Sequence, residues 1–331
     1  MHPDDEHPFA PYVRILGRGP GRSRSLTRDE ASEALGFVLR GDADPVQVGA
    51  FLMLLRYRGE DPAEMAGLVE AARASFGAGP PPGCPPVALD WPSYGAGRTR
   101  AEPWFLLAAL ALARTGISVL MHGSNAFSEG MPVEAGLAEL GLAASRSPAE
   151  AARHLAAHRF AYLPLPALSP ELDRLLGLRR MLGLRSPINT AVRLLNPFDA
   201  PASVDGVFHP AYLEVHLRAA ELLGRRRLAV LKGGGGEAER NPDKAVPVHV
   251  FDRERGRAEV VLERSPASAP AESSGLRAAW ESGAGLGAAT ARATIALALL
   301  ALGRAEDPAS AEAQADTIWS ARLEAPVART A

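Results

Sequence analysis

The chain has 331 residues, 47% hydrophobic and 22% charged, and a formal net charge of −2. This is the composition of a folded globular protein; it excludes wholesale disorder and a globally basic nucleic-acid binder, and leaves local basic patches open. The apolar runs Trp104–Ala113 and Ile295–Leu302 fall short of the roughly 20 residues that span a bilayer, so both are expected as buried helices and no membrane partner is expected.

The acidic opening M-H-P-D-D-E-H-P-F has neither the basic start nor the apolar run of a secretory signal, so a cytoplasmic protein is expected. Residues 12–24 (Y-V-R-I-L-G-R-G-P-G-R-S-R) form a basic arm carrying Arg14, Arg18, Arg22 and Arg24 with no acidic residue. Thr27-Arg-Asp-Glu30 is a capping box and predicts a helix that runs to Arg40 and stops at Gly41. Asp44-Pro45 and Asp61-Pro62 each place an acceptor at an N-cap before a proline already held at helical φ, which predicts helices over 45–58 and 62–75. Phe51, Leu54 and Leu55, then Met65, Leu68 and Val69, recur at helical spacing and give each helix an apolar stripe. Residues 77–86 (G-A-G-P-P-P-G-C-P-P) exclude regular structure and mark a domain boundary. Cys84, the single cysteine, lies inside it, permits no intrachain disulfide and reads as an inert side chain.

Beyond the boundary, short β-rich runs alternate with helices, the pattern of a parallel sheet covered on both faces. Strands are predicted at 87–89, 117–121, 160–163, 204–208, 228–231, 247–251 and 258–262, and helices at 103–115 and 132–140. Residues 171–195 are helical with no strand beside them and are expected to return to the N-terminal helices. Residues 264–286 read as a loop, and helices at 288–302 and 308–322 finish the chain, the second opened by Asp307-Pro308. The expected fold is α/β: a small discontinuous α-helical domain (1–78, joined by 170–195) and a large α/β domain (79–331) with a central, mainly parallel sheet.

Two segments stand where such a sheet collects ligands, beyond the carboxyl ends of strands, and a third stretch is glycine-rich. D-W-P-S-Y-G-A-G-R-T-R (Asp90–Arg100) and M-H-G-S-N-A-F-S-E-G (Met121–Gly130) each follow a strand and precede a helix, and His122 adds an imidazole able to donate to an oxygen. The third, L-K-G-G-G-G-E-A-E-R-N-P-D-K (231–244), holds the only two lysines among the 36 basic residues. Its glycines read equally as a phosphate cradle, a remnant of a metal site or a flexible turn, and no Lys-Ser or Lys-Thr follows the last glycine as a P-loop requires.

The helical segments L-T-R-D-E-A, P-V-Q-V-G-A-F-L-M-L-L-R and G-E-D-P-A-E-M-A-G-L, followed by L-M-H-G-S-N, L-G-L-R-S-P-I-N-T and L-N-P, resemble the anthranilate phosphoribosyltransferase family, glycosyltransferase family 3. D-W-P-S-Y and K-G-G-G-G-E bring the chain nearest to the YbiB-like branch of that family. The resemblance runs over roughly residues 12–320. It implies a fold of the phosphoribosyltransferase and nucleoside phosphorylase type, a helical domain that dimerises, and in active members a cleft for phosphoribosyl pyrophosphate, magnesium and an aromatic amine.

Carried over residue by residue, the resemblance aligns Ser93, Tyr94, Gly95, Ala96 and Gly97 with the family's Gly-Thr-Gly-Gly-Asp pyrophosphate loop, so one glycine and no aspartate remain. Met121, His122, Gly123, Ser124 and Asn125 stand for Lys-His-Gly-Asn-Arg, without the lysine and arginine. The donor or ligand candidates are therefore Tyr94, Gly95, His122, Gly123, Ser124 and Asn125. Arg185 and Asn189 match acceptor-site residues. Ala238-Glu239 replaces the magnesium-binding Asp-Glu pair, leaving Glu239 as a weak metal candidate with Glu237 or Asp243 as substitutes.

The leading expectation is a family member with a degenerate donor and metal site and no confidently assigned catalytic residue. It binds DNA or RNA without base specificity as a homodimer, an activity the resemblance to the YbiB-like branch supports. The phosphate contacts would be Arg14, Arg18, Arg22, Arg24, Arg179, Arg180, Lys232, Arg240 and Lys244. The alternative is an active phosphoribosyl transferase with phosphoribosyl pyrophosphate as partner, working through His122, Ser124, Asn125, Arg185 and Glu239. Magnesium enters only with that alternative.

Overall fold

The computed structural model describes residues 6–19, 21–95, 102–265 and 275–324. The chain forms two compact units, one of residues 1–78, 169–195 and 214–224 and the other of residues 79–168, 196–213 and 225–331.

In the helical unit, α1 (Ala10–Gly17), α2 (Arg28–Arg40), α3 (Pro45–Arg58) and α4 (Pro62–Ser75) follow one another. The basic arm is thus helical in its first half: Phe9, Tyr12 and Leu16 are buried, and Phe9 meets Phe51 of α3 edge-on at 5.3 Å. Its arginines alternate with these apolar anchors, so the composition of the arm concealed an amphipathic helix. The expected capping box forms at Thr27, and the expected N-caps at Asp44 and Asp61 prove to be capping boxes too, closed by Gln47 and Glu64.

The second unit carries β1 (Leu89–Ser93), α5 (Trp104–Arg114), β2 (Val119–Gly123), α6 (Val133–Glu139), α7 (Pro148–His158), β3 (Phe160–Pro164) and α8 (Leu165–Leu168). The segment 171–195, expected as helix, breaks into α9 (Pro170–Gly177), α10 (Arg179–Leu182) and α11 (Ile188–Ala191) and belongs to the helical unit. There follow β4 (Ala202–Val207), α12 (Ala211–Leu222), β5 (Arg227–Lys232), β6 (Val246–Asp252), β7 (Gly256–Leu262), α13 (Leu276–Ser282), α14 (Gly285–Leu302) and α15 (Pro308–Ser320). Helix α7, which opens on the start signal Ser147-Pro148-x-Glu150, and helix α12 are additions to the elements expected from sequence. Residues 264–286 are not loop throughout, because α13 and the start of α14 lie in them; residues 266–274 fall outside the described residues.

The sheet has the order β3-β2-β1-β4-β5-β6-β7, parallel through β5 and antiparallel in β6 and β7. One face, with Leu89, Trp91, Val119, Met121, Val204 and Leu231, joins α5, α14 and α15 in the hydrophobic core. Helix α14 is apolar and long enough by composition to cross a membrane, but 83% of it is buried in this core. β1 and β2 both extend past their expected ends, through Pro92 and Ser93 and through His122 and Gly123. Proline is tolerated in this central strand because the β1–β4 ladder stops at Asp90↔Ser203. Leu89 donates toward the β2 side, so by alternation the nitrogen of Pro92 faces β4, where no ladder partner remains. The sheet therefore parts between β1 and β4, at the point where strand order reverses.

Candidate functional site at the switch point

Open parallel sheets bind ligands in the crevice beyond the carboxyl ends of strands where the strand order reverses. Here that crevice lies between β1 and β4, and the chain itself fills it. Ser93 Oγ and the Gly95 N–H both donate to Glu237 Oε1, at 3.1 and 2.7 Å. Glu237 is 3% exposed. It arrives there because the glycine run turns sharply: Gly235 and Gly236 take positive φ, and the Gly236 and Glu237 N–H groups bond back to the carbonyls of Gly233 and Gly234. A Cβ on Gly206 of β4 or on Gly233 would run into the Glu237 backbone. The glycines thus seat a carboxylate of this chain against the end of β1; they do not line an open cradle.

Glu239, the metal candidate, takes a second structural place. Its Oε2 accepts the Phe105 N–H at 2.8 Å, at the N-terminus of α5, where a helix leaves unpaired donors and favours negative charge. Ala238 between the two glutamates is fully buried. The two carboxylates point to different backbone donors, and among the described residues no group of three or more His, Cys, Asp or Glu is arranged to hold a metal ion. The structure thus shows Glu239, the metal candidate, capping α5, and an alanine between two carboxylates that point apart does not fit the magnesium site that the resemblance implies.

Beneath Glu237 runs a buried polar chain. The Tyr94 hydroxyl lies 2.8 Å from His122 Nδ1. With the phenol as donor, the imidazole proton sits on Nε2, 3.2 Å from Asp90 Oδ1, within hydrogen-bond reach but poorly aligned for one. Asp90 Oδ2 accepts from Ser203 Oγ at 3.2 Å. The strand register explains the chain: Asp90 lies across from Ser203 and His122 across from Pro92, so all side chains except Tyr94 project from one face of the sheet. His122 is 0% and Tyr94 3% exposed, so neither presents a reactive atom to solvent. Tyr162 of β3 lies nearby, its hydroxyl accepting from Asn125 Nδ2 at 3.5 Å; burial, then the charge of Glu134, holds its phenol well above the ordinary range, so it stays neutral.

The sequence candidates therefore divide. The structure brings Tyr94, Gly95, His122 and Gly123 together at the switch point, with Gly123 packed so closely on Ser93 that a Cβ would strike its carbonyl. The Ser124 N–H bonds the Ser93 carbonyl, and Asn125 Nδ2 donates to Glu134 at 3.0 Å. Ala96 and Gly97 lie outside the described residues. Arg185 and Asn189 belong to the helical unit, where Asn189 Oδ1 accepts the Ser186 N–H at 3.1 Å. Asp90, Ser203, Tyr162 and Glu134 were not singled out from sequence; a carboxylate inside a buried strand, as in L-D-W-P, is the signal that marks Asp90.

The basic candidates divide as well. Arg240 is corrected: its side chain is 0% exposed, Nη1 pairs with Glu312 at 2.9 Å and Nη2 donates to the Glu263 carbonyl, so it braces the core. Arg14 pairs with Glu6, and Arg24 forms a two-pronged pair with Glu30 at 2.6 Å. Arg18, Arg22, Arg180, Lys232 and Lys244 are exposed, and Arg179 is half-buried.

A helical-bundle domain of the Glycosyl transferase family matches residues 10–76, and the a/b domain of the same family matches residues 105–276. The chain belongs to glycosyltransferase family 3, the family of the anthranilate phosphoribosyltransferases. Within the family, the uncharacterized protein YbiB of Escherichia coli is 29% identical over 74% of this chain and 77% of its own length. The anthranilate phosphoribosyltransferase of Myxococcus xanthus is 33% identical over 70% of this chain and 68% of its own. The family fold extends to solved structures: the anthranilate phosphoribosyltransferase of Thermus thermophilus superposes with a TM-score of 0.75 at 23% identity, covering 96% of this chain and 95% of the other. The Saccharomyces cerevisiae enzyme in complex with PRPP and Mg superposes with a TM-score of 0.72 at 17% identity, over 95% and 94% of the two chains.

Proposed function

We propose that this family member is a homodimeric binding protein with a degenerate donor site, which does not turn over phosphoribosyl pyrophosphate and holds nucleic acid by its phosphate backbone. The observation that carries the reading is the buried Glu237 carboxylate on the Gly95 N–H and Ser93 Oγ. The yeast relative is bound to PRPP and Mg, and the resemblance puts pyrophosphate at the loop that begins with Ser93. In this chain a phosphate entering there meets a carboxyl group that already uses the donors. Isothermal calorimetry with phosphoribosyl pyrophosphate and magnesium is expected to give no heat of binding; sub-millimolar binding would overturn the reading and restore the active-transferase alternative.

The dimer reading is supported by α3, which carries apolar residues on its outer as well as its inner face. Phe51, Leu52 and Leu55 are buried, yet Val46 and Tyr57 on the outer face are 80% and 91% exposed. Leu182 of α10 approaches Gly49 of α3, and Met181 beside it is 83% exposed. A second copy of the same face covers such a surface symmetrically.

The nucleic-acid reading is supported by the exposed Arg18, Arg22 and Arg180 of the helical unit and by Lys232 and Lys244 of the α/β unit. Three guanidiniums on the helical unit set a slope of log K against log salt near about −3 per protomer on duplex DNA. A mobility-shift series over rising salt tests this; no shift at low salt, or binding indifferent to salt, refutes it.

A further inference from the structure

Away from the switch point, the α/β unit holds a cavity of about 850 Å³, within the roughly 300–1,000 Å³ typical of sites for small organic ligands. It opens at the amino ends of the strands, between the last turn of α5, the C-terminal half of α7 and α13, with Phe160 at the start of β3 in its wall. We infer that this cavity is a binding site for an organic anion with a flat apolar body, a carboxylate, sulfonate or phosphate on a ring.

The lining argues for both halves of that ligand. Leu110, Leu140, Leu142, Phe160 and Trp280 supply apolar surface, and Trp280 is fixed by an edge-on contact with Trp319 at 5.8 Å. Around them stand Arg114, Arg159 and Arg277, with Glu281 as the one carboxylate in the lining. Two of the guanidiniums are held by carbonyls: Arg114 donates to the Glu324 carbonyl and Arg277 to the Glu139 carbonyl, while the Arg277–Glu281 pair is long, at 3.9 Å. Carbonyls orient a guanidinium without cancelling its charge. Although the Glu139 carboxylate accepts the Arg277 backbone N–H at 2.9 Å, the lining carries three arginines against one glutamate, a balance that suits an anion.

Two further features fit. Arg159 caps α7 in the left-handed region, φ 58°, an unusual conformation for a side chain of that size, and it lines the cavity. His154 and His158 lie one helical turn apart on the same face, with small Ala157 beside them leaving the space open; His154 Nδ1 is steadied by Ser145 Oγ at 2.9 Å. None of these residues belongs to the switch-point site, so the inference stands apart from the reading of that site.

The test uses full-length protein and calorimetric titration with 1-naphthoate, with neutral 1-naphthalenemethanol as control. Naphthoate is expected to bind once per chain and the alcohol at least roughly tenfold more weakly, since a charge-assisted contact is worth on the order of a tenfold or greater gain. Arg159→Ala is expected to weaken naphthoate binding by a similar factor, and Ala157→Trp, which fills the cavity from an exposed helix position, to abolish it while thermal unfolding stays native-like. Equal binding of the acid and the alcohol, or native affinity in Arg159→Ala, overturns the proposal. So does native affinity in a folded Ala157→Trp protein.

Discussion

Glu237 decides how the switch point is read, and its removal has two separable effects. Glu237→Ala strips the acceptor from the Gly95 N–H and Ser93 Oγ, and buried donors left without a partner cost about 1–3 kcal/mol. The expected outcome is a lower unfolding midpoint by scanning calorimetry. A carboxylate that occupies an anion site has a second signature: millimolar pyrophosphate is expected to recover part of the lost midpoint in Glu237→Ala and to leave the native protein unchanged, because only the variant has free donors to bind it. Equal responses of the two proteins would reduce Glu237 to an ordinary buried acid. Tyr94→Phe, which removes the hydroxyl from His122 Nδ1, is expected to destabilise by about 1 kcal/mol without creating a pyrophosphate response. This role of Glu237 was not legible in the sequence. The glutamate stands 144 and 142 residues from Ser93 and Gly95, so its local context ties it only to the magnesium segment of relatives. The loss of the family's Asp-Glu pair, by contrast, was legible in Ala238, because a hard cation wants oxygen ligands and alanine offers none.

Among elements, helix starts were the most legible features, since Thr27, Asp44, Asp61 and Asp307 act on N–H groups two or three residues away. Strand ends were the least legible: Pro92 and Gly123 suggest breaks, yet the parting of β4 from β1 lets β1 run through Pro92, and close packing on the Ser93 carbonyl keeps Gly123 in β2. The capping boxes also set opposite pH responses in two neighbouring helices. Burial pushes the Glu64 carboxyl at the start of α4 up to about 7 from 4.5, although the Leu26 and Asp61 N–H groups pull the other way. The folded chain then holds a proton that the unfolded chain releases, so this contribution is fully present below about 4.5 and is lost as pH rises through about 7. At the start of α2 the Arg24 guanidinium, ahead of the Thr27 contacts, holds the Glu30 carboxyl down to about 2. That contribution is present above about 4.5 and is lost as pH falls toward 2. Glu64→Gln keeps an acceptor for the Leu26 N–H and removes the titration. Chemical denaturation is expected to show the variant gaining on the native protein between pH 5 and pH 8 by on the order of 2–3 kcal/mol; parallel pH profiles would contradict this.

For the whole molecule, the surface of the helical unit carries the sharpest consequence. An isolated soluble helix is expected to turn its polar face outward, yet α3 presents Val46 at 80% and Tyr57 at 91% exposure, with Met181 at 83% and Leu184 at 58%. Val46, Ala50, Met53 and Tyr57 fall at helical spacing, so one continuous stripe runs along the helix rather than scattered contacts. Covering that stripe with its own copy needs no other partner chemistry, and a self-complementary face closes at two subunits. In the proposed dimer Tyr57→Glu would place a charge where both copies meet, with its effect doubled by symmetry. Light scattering coupled to size exclusion is expected to give twice the 34.8 kDa chain mass for the native protein and the single mass for Tyr57→Glu. Circular dichroism of the variant should match the native spectrum, because Tyr57 contributes nothing to the buried core of its own chain. The same variant tests how dimerisation serves nucleic-acid binding. If Arg18, Arg22 and Arg180 act from both protomers on one duplex, the monomer loses affinity by roughly a hundredfold through lost avidity while its salt slope falls to about half. A native protein already monomeric at micromolar concentration would remove both arguments together.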